Sequence, residues 1–398
     1  MDLIVKPSKA KGEIKIPSSK SVLHRALICA SMATGITVLS NTSLSEDVLA
    51  TISILESLGV DLAIEEEEIT IYGKGMPLNN ETKFDVKSSG STLRFLLPFM
   101  LKDKKEIEIS AKHDLLKRKI GSYEDLVDIK VQDDKFIVKG FLERDFYLLN
   151  EEVSSQTISG LLLFAPLLNK DVKICSTKNI PSTGYVELTI KIMSDFGVKV
   201  HKCKNGFLIK KGSFYKPCNM LVEGDYSHAA NFFVAGAIGG DVYIDGLFKK
   251  SYQPDKNFTK LVKSKGNIYD LSNNPDLVPP LSLLLCFKDK ESQIINIDRL
   301  AFKESNRIKS VIEGLNNIGG NLKYENGILK IKPIKIFKGG VVNSYNDHRI
   351  IMMASIASFR SSGEIKILHA DGIIKSYPKF FDDFKSIGGI VEVLDETY

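Results

Sequence analysis

No run of about 18 apolar residues occurs in this chain, so no membrane-spanning helix is expected. The opening Met-Asp-Leu-Ile-Val-Lys has neither the apolar core of a secretory leader nor the pattern of a transit peptide. A cytoplasmic location is therefore the expectation. Cysteine is sparse and odd in number. Cys29, Cys175, Cys203, Cys218 and Cys286 fall at no metal-binding spacing and read as reduced core or strand thiols. The six histidines are scattered, with no pair at ligand spacing, which argues against a metal site. There is no Walker-type phosphate loop and no Gly-x-Gly-x-x-Gly after a strand, and Ser89-Gly90 lacks the spacing of a serine nucleophile elbow. The net charge of +5 suits small anionic substrates and is too weak by itself to argue for nucleic acid.

What is present is a repeated design. Pro17-Ser-Ser-Lys-Ser opens with small hydroxyl residues and a lysine, then runs into Leu23, Ala26, Leu27 and Ala30 at helical spacing. A helix start offers free backbone N–H groups and the positive end of the dipole, both of which attract anions. The same head-then-apolar order returns at Lys87–Arg94, Ser154–Ser159, Glu223–Ser227, Asn274–Val278 and Tyr345–Arg349. With Ser18, Ser89, Ser155, Ser227, Asp276 and Asp347 as markers, the spacings are 71, 66, 72, 49 and 71 residues. That is an internal repeat with one shortened unit.

A second marker accompanies it. Predicted helices end near Gly59, Gly197, Gly266, Gly319 and Gly388, where glycine fits a C-terminal cap. Alternating strand pairs follow, such as Val60–Ile64 with Ile69–Tyr72 and Leu322–Tyr324 with Ile328–Ile331. Each unit reads as strand, helix, strand, helix, strand, strand. The fold class is α/β with mixed sheets, built about six times over. At 398 residues two domains are expected. The crossover falls near Val222–Asp225, which divides the repeats three and three. The lobes are then 1–16 with 226–398, and 17–225. Residues 1–16 alternate and read as an opening strand pair that completes the discontinuous lobe.

Several charged residues cluster at the heads: Lys20, Arg25, Arg94, Arg118, Lys303, Glu304, Arg307, Arg349 and Lys375. Singly, solvated surface is the ordinary reading. Asp347-His348-Arg349 directly before a very apolar helix is, however, a costly place for an idle cation. If the heads share a cleft, arginine forks suited to phosphate and carboxylate would line it. Asp276 and Glu304 among such cations are candidates for proton transfer. Their plainer alternatives are a helix cap for Asp276 and an ion pair with Arg307 or Lys303 for Glu304.

These motifs match a known family. The chain resembles the 5-enolpyruvylshikimate-3-phosphate synthases (3-phosphoshikimate 1-carboxyvinyltransferases), members of the enolpyruvyl transferases. The resemblance covers nearly the whole length. It rests on Ser-Lys-Ser-x-x-x-Arg at 19–25, Ser-Gly-Ser-Thr-Leu-Arg at 89–94, Ser-Ser-Gln at 154–156, Pro-Asp-Leu-Val-Pro at 275–279, Lys-Glu-Ser-x-Arg at 303–307, Asn-Asp-His-Arg at 346–349 and Lys-Ser-Tyr-Pro-x-Phe-Phe at 375–381. It implies a two-lobe inverse α/β barrel with the active site in the cleft between the lobes. It implies shikimate 3-phosphate contacts from Ser21, Arg25, Ser154, Ser155, Gln156, Ser182, Tyr185, Asp276 and Lys303. Phosphoenolpyruvate would be held by Lys20, Gly90, Arg118, Gln156, Arg307, Arg349 and Lys375. Asp276 would accept the 5-hydroxyl proton, and Glu304 and Lys20 would serve the methylene carbon, with the division between those two left open. The resemblance implies no metal, no cofactor, no nucleic acid or membrane partner, and a monomer.

The sequence departs from the family pattern at Asn306, where aspartate is usual, and at Lys119, Thr183-Gly184, Lys87-Ser88 and Arg299. Gly90 is retained, and a Cβ there would intrude on the phosphoenolpyruvate side, so glyphosate is expected to compete with phosphoenolpyruvate. The sister alternative is the enolpyruvyl transferase acting on UDP-N-acetylglucosamine. It typically carries a mobile-loop cysteine, sometimes an aspartate, shortly before the counterpart of Arg118. Residues 110–118 contain no cysteine, and Asp114 is only a faint echo. A non-enzymatic ring of repeats facing DNA would need basic helix faces, whereas here the cations gather at helix heads before apolar runs.

Overall fold

The computed structural model describes residues 1–75, 80–118, 120–150, 154–178 and 180–394. The apolar runs behind the six polar heads are the helices Lys20–Met32, Gly90–Leu101, Ser155–Phe164, Tyr226–Gly239, Val278–Leu285 and His348–Ala357. They are apolar nearly all round, and such helices belong inside a core. His348–Ala357 accordingly buries every one of its residues. Helices such as Arg307–Asn317 instead bury one stripe, Arg307, Ile308, Ser310, Val311, Gly314 and Leu315, and leave the other face to solvent. No helix among the described residues is long and apolar enough to cross a membrane.

Glycine terminates four helices as the spacing predicts. Gly59, Gly197, Gly319 and Gly388 take φ of +92°, +85°, +106° and +89°, a region that a side chain disfavours. Gly266 is the exception. The helix Phe258–Leu261 is a single turn that ends four residues before Lys265-Gly266, and Gly266 is not in the left-handed region.

Five of the six sheets are small, four-stranded and mixed. Lys83–Asp85 pairs parallel with Glu106–Ser110, which pairs antiparallel with Lys135–Lys139, which closes a hairpin with Asp128–Gln132. The same order holds for Phe146–Leu149, Val172–Ser176, Gly206–Ile209 and Val200–Cys203. It holds again for Ile268–Asp270, Ser292–Ile295, Ile328–Ile331 and Leu322–Glu325. Inward residues such as Ile107, Ile109 and Val138 are buried, so each sheet covers the helices with one face.

The remaining sheets close by borrowing distant chain. Thr34–Ser40, Glu68–Lys74 and Asp61–Glu65 receive Met220–Leu221 as their parallel edge. Residues 1–16 do not pair with each other, contrary to the expectation from their alternation. Asp2–Lys6 sits between Ile365–Leu368 and Ile390–Leu394, whereas Lys11–Lys15 pairs parallel with Asp241–Asp245 in a separate two-stranded sheet. Alternation reports one buried face and cannot name the partner strand. The two-stranded sheet belongs to the shortened repeat, which lacks the terminal hairpin among the described residues.

The chain divides into two compact units, Met1–Pro17 with Gly224–Tyr398, and Ser18–Glu223. Each has its own apolar core. One is built from residues such as Leu27, Leu96, Leu162 and Ile192, the other from Phe232, Leu281, Ile351 and Phe380. Leu3, Val5, Ile14 and Ile16 are buried in the second of these, at most 2% exposed. Deleting Met1–Pro17 is therefore expected to leave Ser18–Glu223 folded and to abolish cooperative unfolding of Gly224–Tyr398. Hydrogen exchange checks this, and amides of Gly224–Tyr398 still protected after the deletion would refute it.

Candidate active site

In the unit Ser18–Glu223, three helices begin at candidate residues: Lys20–Met32, Gly90–Leu101 and Ser155–Phe164. None has an acidic residue in its first turn, where acids normally offset the dipole. Ser89 and Ser154 cap two of them by accepting from Thr92 N at 3.2 Å and Gln156 N at 3.2 Å. Cations occupy the heads instead. Arg25, 2% exposed, donates from Nε to Thr189 Oγ1 (2.7 Å), from Nη1 to Ser21 O (2.7 Å) and from Nη2 to Tyr185 O (3.3 Å). Its guanidinium lies 4.6 Å from the Phe95 ring centroid. No carboxylate is among these partners. Burial accordingly draws its pKa down to about 10, with only the Tyr185 and Cys29 side chains acting in the opposite sense. That shift corresponds to about 3 kcal/mol held against the charged form. A buried cation answered only by neutral acceptors keeps an uncancelled charge that an anion would offset.

Arg94 ties the Gly90 and Gln156 heads together. Its Nη1 donates to Gly90 O (3.2 Å) and to Gln156 Oε1 (3.1 Å), and its Nε donates to Ile120 O (3.1 Å). Gln156 Nε2 donates to Ser91 Oγ at 3.1 Å. Lys20 pairs with Asp47 at 2.7 Å and Arg118 with Asp114 at 3.0 Å. Ser182 opens the helix Thr183–Asp195 from a left-handed φ of +52°, one turn ahead of Tyr185.

The unit Met1–Pro17 with Gly224–Tyr398 solves the opposite problem. Arg307 is fully buried and meets three carboxylates. Nη1 donates to Asp276 Oδ1 (2.9 Å), Nε to Asp347 Oδ2 (2.9 Å) and Nη2 to Asp347 Oδ1 (3.2 Å), and Nη2 also bonds Glu304. Arg349 reaches Asp276 Oδ2 at 3.1 Å and Ser227 Oγ at 2.6 Å. Lys303 stands 3.7 Å from Asp276 Oδ1. Lys375, also buried, donates to Asn346 O at 3.3 Å. Burial pushes the Asp276 carboxyl up, but Arg349, Lys303 and Arg307 outweigh it and hold the carboxyl well below its ordinary range. Lys303 is pulled up by Asp276, yet burial, with Arg307 and Arg349 beside it, leaves it below its usual value.

Within this unit the structure brings Asp276, Lys303, Glu304, Arg307 and Arg349 into one network. Asp276 is not a cap. Asn274 precedes the short turn Pro275–Leu277, and both Asp276 oxygens face cations. For Glu304 the ion pair with Arg307 is realised. Asn306 takes over the capping that aspartate would perform, accepting from Lys309 N at 3.2 Å. Arg299 donates to Ser272 O in the loop before Asp276. Lys119 lies outside the described residues.

Sequence reasoning missed Asp347 as a contact residue. It is fully buried, clamps Arg307 through both oxygens and caps the helix of Arg349 by accepting from Arg349 N at 3.0 Å. Its place in Asn-Asp-His-Arg was the available signal, but spacing does not show which cation a cap residue also meets. Asp47, which pairs Lys20, carries no sequence signal beyond a helix start.

Each unit thus carries a cluster suited to small anions, one with cations at helix heads, the other with carboxylates held among cations, on an α/β repeat scaffold. The family model for EPSP synthase (3-phosphoshikimate 1-carboxyvinyltransferase) matches residues 4–268 and 255–384. Two relatives named 3-phosphoshikimate 1-carboxyvinyltransferase come from Clostridium perfringens (38% identical, covering 98% of this chain and 99% of the relative) and Clostridioides difficile (34% identical, 98% of each). A solved EPSP synthase from Acinetobacter baumannii shares the fold, with a TM-score of 0.81 at 22% identity over 99% of this chain and all of that one. The chain belongs to the EPSP synthase family.

Asp276→Asn is expected to lower stability at pH 7 by about 2 kcal/mol, the worth of hydrogen bonds to a charged group, because Arg307 keeps two other carboxylates. Asp276 titrates below its ordinary 3.8 when folded, so its contribution is complete above that value and is lost as pH falls beneath it. The gap between wild type and variant in urea midpoint should be constant from pH 7 to about pH 5 and narrow below about pH 4. A gap that widens on acidification would overturn the assignment.

Proposed function

We propose that this chain transfers the enolpyruvyl group of phosphoenolpyruvate to the 5-hydroxyl of shikimate 3-phosphate and releases inorganic phosphate. The observation that carries this reading is Arg25. It is a buried guanidinium with neutral partners, Thr189, Ser21 O and Tyr185 O, on a helix with no acidic residue in its first turn, and Ser21, Ser154, Ser155 and Gln156 of the family pattern lie at helix starts of the same unit. In the proposed assignment Ser21, Arg25, Ser154, Ser155, Gln156, Ser182, Tyr185, Asp276 and Lys303 take shikimate 3-phosphate. Lys20, Gly90, Arg118, Gln156, Arg307, Arg349 and Lys375 take phosphoenolpyruvate.

Asp276 accepts the 5-hydroxyl proton as the oxygen attacks C2. C3 gains a proton from Glu304 or Lys20. The tetrahedral ketal then loses a C3 proton, its C2–O bond to phosphate breaks and the double bond re-forms. Asp276 is a weak base while Arg307 and Arg349 are bound to it. A phosphoenolpyruvate carboxylate competes for those same two arginines. Its arrival loosens their hold and raises the proton affinity of Asp276 when a base is needed. The arginines also offset charge on the departing phosphate. The enzyme on this reading is a cytoplasmic monomer, a state that sedimentation checks.

Phosphate release from phosphoenolpyruvate should require shikimate 3-phosphate, should not occur with UDP-N-acetylglucosamine, and should vanish in Asp276→Ala. Release only with the sugar nucleotide would move the chain to the sister activity. Glyphosate should compete with phosphoenolpyruvate. A Cβ on Gly90 would lie 2.6 Å from Arg94 Nη1, the far end of a side chain that would have to shift. Gly90→Ala is expected to raise the glyphosate inhibition constant about tenfold or more, because the added methyl and the displaced Arg94 would crowd the phosphoenolpyruvate side, tenfold being about 1.4 kcal/mol. An unchanged constant would refute that placement of Gly90.

A further inference from the structure

Arg25 has the right charge for a phosphate, but a side chain with four rotatable bonds is useful only if its fork is held in one direction. Its fixed edge is set by a residue with no part in the proposed ligand contacts. Thr189 is fully buried on the helix Thr183–Asp195, one turn beyond Tyr185. Its Oγ1 accepts from Arg25 Nε at 2.7 Å, lies 3.0 Å from Tyr185 O and 2.8 Å from Ser159 Oγ. Tyr185 O in turn accepts from Arg25 Nη2 at 3.3 Å. Two neighbouring acceptors on one helical turn therefore hold two N–H groups of the guanidinium. Ser159 extends the contact to the helix that starts with Ser155 and Gln156.

We infer that Thr189 is the positioning residue that aims Arg25 at an anionic group of shikimate 3-phosphate. The inference rests on the proposed function for the identity of that anion. The choice of threonine matters as much as its place. An arginine has five N–H donors. Bonds to Thr189, Ser21 and Tyr185 use three of them, so two remain for a ligand among the described residues. A carboxylate in place of Thr189 would hold the guanidinium equally well but would neutralise it, as Asp347 does for Arg307. A hydroxyl fixes the direction and leaves the charge for the incoming anion. One hydroxyl proton and two lone pairs are enough to accept from Arg25 while bonding Ser159 and Tyr185.

The test uses the full chain with Thr189→Val, which keeps the shape and removes the hydroxyl, and Thr189→Ser, which restores the hydroxyl. Calorimetric titration with shikimate 3-phosphate alone should show affinity falling about tenfold or more in Thr189→Val and returning to within about threefold in Thr189→Ser. KM for phosphoenolpyruvate at saturating shikimate 3-phosphate should stay within about twofold of wild type. Unchanged shikimate 3-phosphate affinity in a folded Thr189→Val protein would overturn the inference. So would a loss shared equally by both substrates and not rescued by serine, since that is what a merely structural residue would give. Titration with inorganic phosphate separates this from the functional reading. If wild type binds inorganic phosphate but not shikimate 3-phosphate, the proposed substrate is wrong, and the phosphate affinities of the two variants then decide the role of Thr189.

Discussion

A guanidinium withdrawn from water must be compensated, and the two units do this in opposite ways. Arg25 is compensated by dipoles: two backbone carbonyls, a hydroxyl and the face of Phe95. Arg307 is compensated by three carboxylates, from Asp276, Glu304 and Asp347. Dipoles satisfy the hydrogen bonds and leave the charge, so burial holds Arg25 below its ordinary pKa. Carboxylates cancel the charge, and although burial pulls Arg307 down, Asp347, Glu304 and Asp276 raise it above its ordinary value. The first arrangement is open to an added anion. The second could admit one only by exchange with a carboxylate already in place.

The helices make both arrangements possible. An apolar run buried on all sides brings its own first turn into the interior, and with it whatever head the sequence has attached. Arg25 and Arg349 are buried because Leu23, Leu27, Ile350 and Met353 are buried. Six repetitions of that rule give six chances to place a polar group at a helix start. The sheets supply the covering layer.

That rule is local, and local rules were legible. Head-and-run order located the helices, glycine located four of the five helix ends named from the sequence, and alternation located the hairpins to within a few residues. Partners distant in sequence were not legible. Nothing in Asp2–Lys6 or Lys11–Lys15 says that they enter different sheets, because alternation fixes only which face is buried. The site divides along the same line. The motifs singled out Asp276, Glu304, Arg307 and Arg349, which meet in one network. Asp347 as the clamp on Arg307 and Thr189 as the acceptor for Arg25 could not be found, because each acts on a residue 40 or more positions away.

The pairing of Asp2–Lys6 with Ile390–Leu394 has a temporal side. A ribosome makes Asp2–Lys6 long before its neighbour Ile390–Leu394. Ser18–Glu223 can assemble while synthesis continues, because all of its strands are then already in hand. Lys11–Lys15 has to wait for Asp241–Asp245, and Asp2–Lys6, whose neighbours are Ile365–Leu368 and Ile390–Leu394, has to wait longer still. The lysines at 6, 9, 11 and 15 are the kind of charge that keeps an unpaired strand from adding to a stranger. Asp2–Lys6 is thus among the last strands to find its place, and its solubility in the interval is a requirement of the architecture.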